Sequence, residues 1–143
     1  FVTVICDLYK DRDFSAYPST DTWSESWLDI NFRLKNLKTL VDSNINLVIF
    51  AEKDIIPHDW TIPSTVTILP FEFNSVQTYT NIMNLNPALP DSINSPKDRL
   101  SYFALMNSKL DFIEKAKAMF QQYDTYCDKL IIAVELPFSM AIK

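Results

Sequence analysis

The chain has 143 residues, 48% hydrophobic, 13% aromatic and 22% charged, the composition of a globular chain with a packed core rather than of a disordered one. A formal net charge of −5 and a pI near 4.7 argue against a nucleic-acid surface, which normally carries a basic stripe, and no run of about 18 apolar residues is present to predict a membrane span. Glycine is absent, so no glycine-rich phosphate loop exists, and turns must be made by Asn, Asp, Ser and the eight prolines.

The segment Phe1–Tyr9, F-V-T-V-I-C-D-L-Y, is β-branched and apolar and then reaches Asp7, which predicts a buried strand ending in polar residues. Lys10, Asp11, Arg12 and Asp13 follow. In open α/β sheets ligands bind beyond the carboxyl ends of the strands, and a charged surface loop is the equal alternative. A helix is expected from Thr22, where T-W-S-E forms a capping box with Glu25. Trp27, Ile30, Leu34, Leu37 and Val41 form its buried stripe, with Asp29, Arg33, Lys35 and Lys38 on the solvated side, and Asp42, Ser43 and Asn44 end it. Asn46–Glu52, N-L-V-I-F-A-E, reads as a second buried strand, completing a βαβ unit with parallel pairing. Glu52 would then lie on the same side of the sheet as Arg12.

An irregular loop with Pro57, His58 and Pro63 comes next. A short third strand is predicted over Val66–Leu69, closed by Pro70, with Phe71–Ser75 extending it or forming an edge. Ser75–Asn84 suits a short helix. The pattern then predicts one long helix over Ser95–Gln122, capped by Ser95 and Pro96, with apolar residues at Leu100, Phe103, Met106, Leu110, Ile113, Ala116 and Phe120. At ~1.5 Å per residue it would span roughly 40 Å. Off the stripe, Tyr102 and Lys109 are two turns apart on one face, and Asp98, Arg99, Asn107 and Ser108 join them. This is either a solvated face or an anion-facing one. Lys129–Glu135, K-L-I-I-A-V-E, reads as a fourth buried strand ending at Glu135. Cys6 and Cys127 are too few for a disulfide scaffold, and together with one histidine they make zinc a poor fit. Buried thiols in a cytoplasmic protein are expected, with His58 on the surface. Most of the tryptophans and phenylalanines should be core.

The stretch S-Y-F-A-L-M-N-S-K-L-D-F-I-E-K-A (Ser101–Ala116) resembles the pattern of the HtrL/WlaTC-like family of glycosyltransferase-type proteins, and V-T-V-I-C-D-L-Y with Asp11-Arg12, an aromatic helix and N-L-V-I-F is similar to that family's start. The resemblance covers nearly the whole chain but only the N-terminal half of such a protein. It implies a truncated GT-A-like, Rossmann-related α/β fold: a parallel-rich sheet flanked by helices, forming one domain over 1–143 that binds a nucleotide-diphospho-sugar donor. On this resemblance Arg12, Arg99 and Lys109 would recognise the nucleotide sugar, Tyr102 would stack or hydrogen-bond, and Asp7 would contact base or ribose. D-K-L-I-I-A-V-E (Asp128–Glu135) is similar to the strand that ends in an Asp-x-Asp-like metal motif, so Glu135 would hold Mn²⁺ or Mg²⁺. The triplet here is Ala133-Val134-Glu135, with a single acidic residue. A metal-dependent transferase, a non-catalytic relic of the fold and an interaction domain of the same fold are all compatible with the residues.

Overall fold

The computed structural model describes residues 1–8, 29–89 and 100–121. The described residues fall into two compact units, one of Phe1 and the described residues of Thr3–Pro70, the other of Val2 and the described residues from Phe71 to Gln121. The expected fourth strand, with Cys127 and Glu135, lies outside the described residues, as do Arg12, Trp27 and Arg99.

The first unit is built on three strands, β1 (Val2–Ile5), β2 (Leu47–Glu52) and β3 (Val66–Phe71), in the order β1-β2-β3. They are parallel. The register shows why: the amino group of Phe1 donates to the carbonyl of Asn46 (2.9 Å) and the carbonyl of Phe1 accepts from the amide of Val48 (2.8 Å). One residue bridging positions j−1 and j+1 of its neighbour is the evenly slanted pattern of a parallel pair. β2 lies in the middle and is buried on both faces, Leu47, Ile49 and Ala51 on one and Val48 and Phe50 on the other. This is why its sequence is continuously apolar rather than alternating.

Helix α1 (Ile30–Val41) joins β1 to β2. Asp29 caps it: its backbone is extended (φ −70°, ψ 122°) and its carboxylate accepts the amide of Asn31 at 2.9 Å. A helix continuous from Thr22 is therefore corrected, since the chain at Asp29 is not helical. Leu37 and Val41 join Ile5, Leu47, Ile49, Ala51 and Val66 in one core cluster, and Ile30, Leu34 and Leu40 pack against it.

The β2–β3 connection contains no helix. A parallel pair needs a crossover, normally helical. Here residues 53–65 do that work as irregular chain, laying Ile55, Ile56, Trp60 and Ile62 on the same core cluster. His58 is exposed, as expected. β3 runs through Pro70 to Phe71 rather than stopping before it. Proline lacks an amide to donate, and among the described strands β3 stands at an end of the sheet, where that lack is tolerated.

In the second unit, a 3-10 turn (Phe73–Ser75) leads into α2 (Gln77–Leu85), followed by α3 (Leu100–Asn107) and α4 (Lys109–Gln121). α2 packs on α3, and α3 meets α4. Val76 gives α2 no side-chain cap. Asp111 of α4 supplies one instead, accepting from the amide (2.8 Å) and hydroxyl (2.7 Å) of Thr78, and Lys115 one turn on donates to the carbonyl of Ser75 (2.9 Å).

The single long helix is corrected to two, broken at Ser108. Asn107 Nδ2 takes the Phe103 carbonyl (2.8 Å), and the buried hydroxyl of Ser108 takes the Ala104 carbonyl (2.7 Å). The Ser108 amide turns to the Leu105 carbonyl, three residues back. Two adjacent polar side chains thus compete for the helical acceptors and end the ladder.

The three described residues with positive φ are Asn44 (58°), Asp54 (60°) and Asn86 (44°), the last ending α2. In a chain without glycine these are the residue types that tolerate the left-handed region best. Asn86→Ala is expected to cost about 1 kcal/mol, because alanine keeps the Cβ clash without the local hydrogen bonding, whereas Asn86→Gly should leave stability unchanged or raise it. Urea midpoints of the two variants check this; an alanine variant as stable as the parent would overturn it.

Candidate functional site

Parallel pairing brings the carboxyl ends of β1 and β2 to one edge, and a polar cluster sits there. After Ile5 the chain continues to Cys6 and Asp7, and β2 ends at Glu52. The amide of Asp7 donates to Glu52 Oε2 at 2.9 Å, tying the two strand ends together. From the first turns of α1, Arg33 reaches the same point. Its Nη1 donates to the Cys6 carbonyl at 2.8 Å, and its Nη2 lies 3.6 Å from Asp7 Oδ1, an ion pair longer than a hydrogen bond. The Arg33 side chain is only 4% exposed and that of Asp7 22%.

The expectation that Arg33 is solvated is thus overturned. It is the one buried charged residue among those described. Its position carried the signal: Ile30, Arg33, Leu37 and Val41 are spaced by three and four along one face, the buried face. A cation on that stripe had to be buried with a partner, and the carbonyl end of β1 supplies one. Two of its nitrogens, Nε and Nη2, have no hydrogen-bond partner.

Cys6 is a free, buried thiol beside this arginine. Burial pushes its pKa up to about 12; Arg33 opposes the shift, while Glu52 and Asp7 reinforce it. The thiol stays protonated at neutral pH and is no nucleophile.

Of the sequence-derived site residues, Asp7 stands in this cluster. Tyr102 lies half-buried on α3, and Lys109 opens α4, also half-buried; both are in the second unit. The shared face expected for them required an unbroken helix, and the interruption at Ser108 removes that register. Arg12, Arg99 and Glu135 lie outside the described residues. Among the described residues no three of His, Cys, Asp and Glu are placed to hold a metal ion, and no helix is long and apolar enough to cross a membrane.

At the other end of α1, Lys38, Asp42, Asn44, Thr61 and Pro63 line an open recess of about 280 Å³. Lys38 is ion-paired with Asp42 and lies 5.8 Å from the centroid of the Trp60 ring. Its charge is neutralised within the recess, which leaves no free cation to attract a ligand there.

Fold and cluster together define an α/β protein with a parallel sheet and a charged group at its carboxyl edge. No protein-family model, no curated protein and no solved structure matches the chain.

Proposed function

We propose that this chain is the nucleotide-diphospho-sugar-binding part of a glycosyltransferase-type protein with a GT-A-like, Rossmann-related fold. The observation that supports this is the placement of Asp7: it stands at the carboxyl edge of a parallel β1–β2 pair, the edge where α/β sheets take nucleotides, with its amide held by Glu52 and its carboxylate beside Arg33. In this proposal Asp7 faces the base or ribose, and Arg12, Arg99 and Lys109 neutralise the diphosphate as the glycosidic bond breaks. Charge-assisted hydrogen bonds suit that leaving group. Tyr102 stacks or hydrogen-bonds. A Mn²⁺ or Mg²⁺ ion belongs to the proposal at Glu135, where hard oxygen ligation would supply further positive charge.

A thermal-shift series with UDP- and GDP-sugars, with and without Mn²⁺, tests it. A ligand that binds only the folded chain adds about 2.7 kcal/mol at a hundredfold excess over Kd, a shift of several degrees. The expected result is a shift that grows with Mn²⁺ and vanishes when Arg99 and Lys109 are both replaced by alanine. A shift without metal dependence leaves a donor-binding relic of the fold. No shift with any nucleotide sugar overturns the proposal.

Leu85 on α2 and Leu110 on α4, 78% and 68% exposed, favour a second reading, an interaction domain of the same α/β fold. It predicts no nucleotide-sugar shift.

A further inference from the structure

Resting on the nucleotide-sugar proposal, we infer that the Nε–Nη2 edge of Arg33 is a nucleobase-recognition site that prefers a base offering two adjacent acceptors, as guanine does with O6 and N7. Three observations carry it. The guanidinium is fixed: Nη1 is committed to the Cys6 carbonyl at 2.8 Å, and the side chain is 4% exposed. Its two nitrogens without a hydrogen-bond partner are not scattered. Nε and Nη2 share one edge of the planar fork, and their N–H bonds run parallel. That is the edge that grips a pair of acceptors side by side. Buried donors nearly always make hydrogen bonds in folded proteins, so an edge that makes none, with only the long 3.6 Å ion pair from Nη2 to Asp7, at a strand terminus where α/β proteins bind nucleotides points to a ligand contact.

Charge selects the kind of ligand. Arg33 is one cation beside two carboxylates, Asp7 and Glu52, whose fields both reach this spot, as their effect on the Cys6 thiol shows. A phosphate would bring like charge next to those carboxylates in a poorly solvated place, where such repulsion is strong. An uncharged acceptor pair meets the donors without that penalty. Guanine presents O6 and N7 together, whereas adenine replaces the O6 acceptor with an amino donor that would face an N–H of the arginine. The edge is also closed to bulk solvent, so a base enters by parting the side chains at the strand ends, and association is slower than for an open surface site.

The experiment uses the full chain with GDP, ADP, UDP and inorganic pyrophosphate. Calorimetry gives the affinities, and nitrogen-15 spectra follow the side-chain Nε–H signals of the three arginines, Arg12, Arg33 and Arg99. GDP is expected to bind roughly tenfold or more tightly than ADP, the discrimination a good bidentate arginine contact provides. GDP should shift one slowly exchanging Nε–H signal that pyrophosphate leaves in place. Arg33→Lys should erase both the preference and that signal while leaving pyrophosphate affinity as it was. If the lysine variant does not fold, the wild-type spectra decide alone. Binding of the nucleotides without preference, or a buried Nε–H signal that ignores GDP, overturns the base site and leaves the donor proposal standing. No binding of any nucleoside diphosphate overturns the donor proposal itself, and this site with it.

Discussion

Arg33→Ala is expected to cost the fold about 3–5 kcal/mol, the sum of a lost buried hydrogen bond and the cavity left by a large buried side chain. Three losses combine. The Cys6 carbonyl loses its 2.8 Å donor, Asp7 loses the cation 3.6 Å away, and the aliphatic stem leaves a gap on the α1 stripe beside Leu37. Urea unfolding measures the sum. Arg33→Met separates the parts, because methionine keeps most of the stem and discards the charge. The guanidinium is desolvated yet has two nitrogens without hydrogen bonds, so much of its burial cost goes uncompensated. The methionine variant should therefore lose only about 1–2 kcal/mol, near the worth of the hydrogen bond to Cys6. Asp7→Asn should lose less still, under about 1 kcal/mol, because that carboxylate is partly solvated and the pair is long. If Arg33→Ala loses less than 1 kcal/mol, the arginine is not integral to the fold. If Arg33→Met matches the parent, the charge adds no stability, and its presence at the strand edge needs a reason outside folding.

That variant pair also bears on how far the sequence spoke for itself. Strands β1 and β2 were legible because a strand buried on both faces must be apolar without alternation: L-V-I-F-A is, and V-T-V-I departs from it only at the β-branched Thr3. The parallel pairing followed from the helix between them. Arg33 was misread because its charge was weighed and its spacing was not: residue type said solvent, while the three-and-four step from Ile30 to Leu37 said core. The long helix failed for the converse reason. Its apolar stripe continues unbroken from Leu100 to Phe120, and periodicity has no term for the Asn107–Ser108 pair, whose side chains seize the carbonyls of Phe103 and Ala104. The irregular connection after β2 was legible from its prolines, but not its packing on the core: Ile55, Ile56, Trp60 and Ile62 follow no period, and tertiary contacts alone lay them there. The Asn and Asp turns, by contrast, followed directly from the missing glycine. Asp7 could be placed at a strand end from the sequence, but its clasp by Glu52 depends on a register that only the folded sheet defines.

Phe112→Ala should destabilise the second unit by about 3–5 kcal/mol, the cost of removing a fully buried phenylalanine and leaving a cavity. Phe112 is 2% exposed, and its ring meets Phe71 edge to face, with centroids 5.2 Å apart at 79°. Phe71 meets Phe73 in the same way at 5.3 Å and 82°, and Phe73 continues to Tyr79 at 4.7 Å. Edge-to-face pairs add roughly 0.5–1.5 kcal/mol beyond burial, so removing the inner ring also costs Phe71 a partner. The gap should not close readily. The other fully buried side chains on the helical side of this unit, Val76, Ala104, Ser108 and Ala116, are all small and have little reach into the space. Phe112→Leu, which keeps most of the volume, should lose far less, about 1–1.5 kcal/mol. The contrast matters because Phe112 sits one position after Asp111, whose carboxylate holds the start of α2. If the aromatic ring is what seats α4, then Phe112→Ala should also release the Thr78 amide, and native-state hydrogen exchange would show that amide losing protection together with the α4 core. An alanine variant that weakens α4 but leaves Thr78 protected would mean that Asp111 anchors the helix by itself, and that the ring contributes packing energy without setting the geometry.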